Sequence, residues 1–62
     1  MDYAIIEFLK GQTEGATSEA IWKAVTAPRM NLARTEDVLD DLIKDNFIAL
    51  AFVEGKAVYA IA

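Results

Sequence analysis

The spacing of apolar residues changes period once, at Asn46, and that change limits the folds open to this chain. From Phe47 to Ala62 the sequence reads as two strand-like runs, Phe47–Val53 and Lys56–Ala62, separated only by Glu54-Gly55. A residue–glycine pair between apolar runs signals a β-hairpin with a two-residue turn. With Glu54-Gly55 as the whole turn, Val53 faces Lys56. Phe52/Ala57, Leu50/Tyr59 and Ile48/Ile61 then share one face, and Phe47/Ala62, Ala49/Ala60 and Ala51/Val58 the other. The first face is bulky and is expected to be the core; the second is mostly alanine. A one-residue slip would exchange the faces of one strand relative to the other.

Before Asn46 the period is helical. Asp2 is placed to cap a first helix over Tyr3–Lys10, with Ile5, Phe8 and Leu9 on one side and Lys10 in the last turn. Gly11 is expected to stop it in the left-handed conformation. Gln12 to Ala16 is a polar loop with a second glycine, Gly15. Thr17 or Ser18 caps a second helix that runs to about Thr26, with Ala20, Ile21, Ala24 and Val25 inside and Trp22 part-buried beside them. Pro28 ends it, since the residue before a proline avoids the α region, and Pro28-Arg29-Met30-Asn31 makes a turn. A third helix is expected from about Leu32 to Asp45. Its core positions are Leu39, Leu42 and Ile43, extended backward by Thr35 and Leu32. Asn46 suits a left-handed C-cap.

Three helices and a hairpin in 62 residues resemble the winged-helix domain, and the resemblance covers nearly the whole chain. Its most specific stretch is Leu39-Asp-Asp-Leu42-Ile-Lys-Asp-Asn46-Phe47-Ile48, which looks like the end of a winged-helix third helix entering its wing. The layout is similar to the C-terminal winged helix of the middle subunit of replication protein A and to dissimilatory sulfite reductase D. The resemblance implies one α+β domain over 1–62, a small winged helix with a three-helix core and a C-terminal hairpin wing. Many members of the superfamily bind DNA through the third helix and wing; others bind proteins or pair with themselves. Family membership alone leaves these open.

Charge separates the alternatives. Ten acidic residues stand against six basic ones, for a net charge of −4. A groove-reading helix needs Arg or Lys for phosphates and Arg, Asn or Gln for base edges. The outward positions of the third helix are instead Arg34, Glu36, Asp37, Asp40, Asp41, Lys44 and Asp45. Glu36/Asp40, Asp37/Asp41 and Asp41/Asp45 are like-charge pairs four apart, each costing a few tenths of a kcal/mol. Such a face reads as a solvated surface or as a docking face for a basic partner. A DNA-contacting wing carries Arg or Lys near its tip, and here the tip is Glu54-Gly55-Lys56.

The chain has no Cys and no histidine. Disulfides, thiolate metal sites, cysteine nucleophiles and the commonest general base are therefore ruled out. The carboxylates lie on an exposed helix with no pocket to separate their pKa values, and no spacing matches a calcium loop. The expectation is no enzyme, no cofactor and no metal. No segment reads as a signal peptide or a membrane span, which predicts a soluble cytoplasmic chain.

The favoured reading is a non-enzymatic acidic module that binds another protein, or a second copy of itself, through Glu36, Asp37, Asp40 and Asp41 and through the apolar hairpin strip of Ala49, Ala51, Val58 and Ala60. Unpaired strand edges on both sides of the hairpin, without charged guards, favour such pairing. The alternative is a DNA-binding transcriptional regulator with Arg29, Arg34 and Lys56 on phosphates. A third reading is a phage-type acidic protein that mimics nucleic acid.

Overall fold

The computed structural model describes residues 2–62. Three helical segments come first: α1 (Tyr3–Lys10), α2 (Ser18–Ile21) continued by a π-helical stretch (Trp22–Thr26), and α3 (Leu32–Lys44). An antiparallel hairpin of β1 (Ile48–Val53) and β2 (Lys56–Ile61) follows. The fold is a small α+β arrangement of helices with a C-terminal two-stranded hairpin. Among the described residues, no helix is long and apolar enough to cross a membrane.

Each helix starts where a side chain accepts hydrogen bonds from amides that have no intrahelical partner. Asp2 Oδ1 accepts from the N–H groups of Ala4 at 3.1 Å and Ile5 at 3.4 Å. Thr17 Oγ1 accepts from Ala20, and Asn31 Oδ1 from Arg34 at 2.8 Å. Thr17 is thus the second cap, which leaves the Ser18 hydroxyl to donate to Glu36 Oε2 at 2.9 Å. At the end of α3, Asn46 takes the left-handed conformation with φ 64. The N–H groups of Asn46 and Phe47 donate to the carbonyls of Ile43 and Leu42, the paired closure that turns a chain out of a helix. The expected left-handed stop at Gly11 is not found, because its φ is −89. Gly11 and Gln12 instead donate to the carbonyls of Phe8 and Leu9, and this tight right-handed turn closes α1.

Ile5, Leu9, Ala16, Ile21, Leu39, Leu42, Ile48 and Tyr59 form the buried apolar core, with Phe8, Val25 and Ile43 packed partly against it. Ala20 and Ala24, expected inside, are exposed. For Ala24 the π-helical stretch is the reason. The Ala27 N–H reaches back five residues to the Trp22 carbonyl at 2.7 Å. That wider turn brings Ile21 and Thr26, five apart, to the core side in place of Ala24. Thr26 and Thr35 are both fully buried, with their hydroxyls 2.7 Å apart. Thr35 Oγ1 also lies 3.0 Å from the Asn31 carbonyl, against 3.4 Å from Thr26 Oγ1 to the Trp22 carbonyl. Either hydroxyl can donate to the other, and the one that accepts can donate to its own helix carbonyl. Ala27 is extended before Pro28, with ψ 146. Trp22 is half-buried, and its indole N–H donates to the Met30 carbonyl at 2.8 Å, bracing the turn into α3.

The hairpin pairs in the register read from the sequence, from Ile48↔Ile61 to Val53↔Lys56. Glu54 and Gly55 have φ of 52 and 79, two successive left-handed residues as a type I′ turn requires. The expectation that the whole bulky face is core holds only for Ile48 and Tyr59. Ile48 and Tyr59 are buried, whereas Leu50 is 45% and Phe52 72% exposed, and Ile61 is exposed as well. The ribbon is about 20 Å long, and the helices bury only Ile48 and Tyr59 on it.

The two edges also differ, which corrects the expectation that both are open. Ala16 and Tyr59 exchange N–H···O=C bonds of 2.9 and 2.8 Å, an isolated bridge on the outer edge of β2. Gly15 permits this approach: its φ is +81, and a Cβ there would sit 2.9 Å from the Tyr59 carbonyl oxygen and 3.3 Å from the Val58 side chain. Among the described residues, none pairs with the outer edge of β1.

Candidate interaction surface

The acidic residues of α3 follow from its helical period. Thr35, Leu39 and Leu42 turn inward, so the positions between them face water. Glu36, Asp37, Asp40 and Asp41 are all exposed, as is Asp45 at the C-cap. Among the described residues the ion pairs are Glu7–Lys10 and Glu19–Lys23, both within single helices and exposed. No carboxylate of α3 takes part in one. Glu36 accepts the Ser18 hydroxyl bond, and the others keep their full acceptor capacity.

The stripe divides into two sides. Burial pushes the Tyr59 phenol above its usual value of 10.0, and the charges of Asp40 and then Glu36 push it further. These two carboxylates therefore act on the hairpin's bulky face, where Tyr59 pairs with the exposed Leu50. Asp41 and Asp45 face the other way. They line an open groove of about 650 Å³ with Asp2, Tyr3, Arg29, Met30, Arg34 and Lys44.

The sequence-derived basic set is not brought together. Arg29 and Arg34 share that groove with three carboxylates, and the Arg29 guanidinium donates to the Val25 carbonyl at 3.2 Å. Lys56 lies in a different recess, with Thr17, Ser18 and Glu19 at the start of α2 and Lys23 of the π-helical stretch. The alanine strip is also divided. Ala49 and Ala51 on β1 are exposed, while Val58 and Ala60 on β2 are half-buried. On β1 the strip gains size from Phe47, 39% exposed, and Val53, 47% exposed.

Sequence reasoning missed the exposed bulky side chains Leu50 and Phe52, which it assigned to the core. Chemically the surface offers carboxylates in water, an apolar ribbon and a free strand edge. Among the described residues no cluster of carboxylates is arranged to hold a metal ion. No family model, no curated protein and no solved structure matches this chain.

Proposed function

We propose that this chain is a winged-helix module, without catalytic activity, that docks on another protein. The winged-helix reading is supported by the order helix, bridging residue, helix, helix, hairpin. In it, Ala16 supplies a minimal first strand and the hairpin is the wing. The observation that carries the function is one juxtaposition: the Glu36 and Asp40 side of α3 acts on Tyr59, beside a hairpin that leaves Leu50 and Phe52 in water. Monomers rarely leave contiguous apolar surface uncovered. An acidic margin beside it suits a partner segment that carries apolar anchors and Lys or Arg.

Nucleic acid is disfavoured, because the helix that would enter a groove presents carboxylates to the phosphates. The observation on its side is that Arg29, Arg34 and Lys44 share one groove.

Replacing Asp37, Asp40 and Asp41 together by Lys tests the choice. The fold should persist, since all three face water. Association with the protein recovered by the wild-type chain should slow by roughly tenfold or more at low salt, because steering charges act on the on-rate. Tight binding of wild type to random duplex DNA, weakening steeply with salt, would instead support the regulator.

A further inference from the structure

We infer that two copies of this chain join through the free edge of β1, antiparallel, with Leu50 on the two-fold axis. Tyr59 spends its N–H and C=O on Ala16, away from β1. In an antiparallel ladder, opposite residues point their backbone groups either both inward or both outward. Leu50 lies opposite Tyr59, so its groups point outward, as do those of Ile48 and Phe52 by alternation. Among the described residues none pairs with them. The strand from Ile48 to Val53 carries no charge, and uncharged edges are the ones that accept another strand.

The occupant is argued from self-complementarity. Pairing Leu50 with Leu50 of a second copy sets Ile48 against Phe52, Ala49 against Ala51, and Phe47 against Val53. Phe47, Leu50, Phe52 and Val53 are four of the large apolar side chains the monomer exposes; in this register Phe47 meets Val53 and Leu50 meets its counterpart, while Phe52 lies beside Ile48, which its own copy already buries. Beyond them Glu54 meets Asn46, so no carboxylate faces a carboxylate across the seam. Sliding by two residues sets Phe52 against Asn46 and Val53 against Asp45, or Ile48 against Glu54, and loses the match. Pairing stops at two copies, because the bridge from Ala16 occupies the outer edge of β2. The contact is isologous, the commonest kind in soluble oligomers. The contact is small beside the ~800 Å² per partner of a standard complex, so a weak dimer that forms only at high concentration is expected.

Salt gives the contact a signature. Each copy carries a net charge of −4, so screening should tighten the dimer, whereas a basic partner or DNA would be released. The experiment is sedimentation of the intact chain up to about 1 mM at low and high salt. It is repeated on Leu50→Lys, on Leu50→Glu and on their equimolar mixture, with circular dichroism to check folding. The wild type should dimerise, more tightly at high salt. Each variant alone should sediment as a monomer, since like charges then meet on the axis, and the mixture should associate again. If either charged variant unfolds, Phe52→Lys, at a position 72% exposed, should also sediment as a folded monomer. A wild type that stays monomeric, a dimer that weakens with salt, variants that dimerise as wild type does, or a mixture that stays monomeric would each overturn the proposal.

Discussion

The base and the tip of the hairpin are built from the same residue types and live in different environments. At the base, Ile48 and Tyr59 are buried, and β2 is held by two backbone bonds to Ala16. Towards the tip, Phe52 and Val53 stand in water, as does Leu50 opposite Tyr59, and a Cβ at Gly55 would meet nothing within 4 Å. Apolar character alone therefore does not report the core in a chain this short. The helices bury Ile48 and Tyr59 and leave Leu50 and Phe52 exposed, and in the proposed function the exposed part is the docking surface. The base should carry stability and the tip should carry association.

The largest effect should come from emptying the base. Ile48→Ala, like Leu39→Ala in α3, removes a buried side chain and should cost roughly 2–5 kcal/mol by lost transfer energy and cavity formation. Phe52→Ala removes a larger side chain from the tip and should change stability by no more than about 0.5 kcal/mol. Denaturant melts of the three variants measure the contrast. Equal losses at Ile48 and Phe52 would mean the tip is packed, and the distinction would fall.

Two glycines sharpen the same contrast. Gly15 and Gly55 both have left-handed φ, +81 and +79, but a Cβ at Gly55 meets nothing within 4 Å. Gly55→Ala should cost only the conformational strain, about 1–2 kcal/mol. Gly15→Ala adds an overlap with the Tyr59 carbonyl oxygen and should cost more, roughly 3 kcal/mol. It should also raise the exchange rate of the Ala16 and Tyr59 amides, which the Gly55 variant should leave alone. Similar losses for both would mean the loop does not clamp β2.

Much of this was legible in the chain. The caps at Asp2 and Asn46, the proline stop at Pro28 and the hairpin register follow from local rules that depend on a few neighbouring residues. Two features were not legible. The π-helical stretch places Thr26 inside, and a 3.6-residue period cannot foresee a turn of different width; the buried partner at Thr35 was read as core without its hydroxyl bond. The reach of the helical layer over the ribbon is a tertiary quantity, and side-chain size alone points Leu50 and Phe52 to the core. The acidic stripe on α3 was visible from spacing, but its division into a hairpin side and a groove side was not. Neither was the separation of Lys56 from Arg29 and Arg34, because both depend on how the elements pack.

The smallest expected effect joins the base to the acidic helix. Burial and the charges of Asp40 and Glu36 hold the Tyr59 phenol above 10.0. The folded state therefore favours the neutral phenol more than the unfolded state does. That contribution is complete below pH 10, and stability declines as pH rises from about 10 through the raised folded value, where the unfolded chain has already released its proton. In a Tyr3→Phe background, phenolate absorbance reports Tyr59 alone. Asp40→Asn should move its titration downward, though not to 10, because burial remains the larger cause. The same substitution should leave stability at pH 7 within about 0.5 kcal/mol, since Asp40 is exposed and makes no ion pair among the described residues. A midpoint that does not move would separate the carboxylates of α3 from the hairpin and remove the acidic margin from the docking surface.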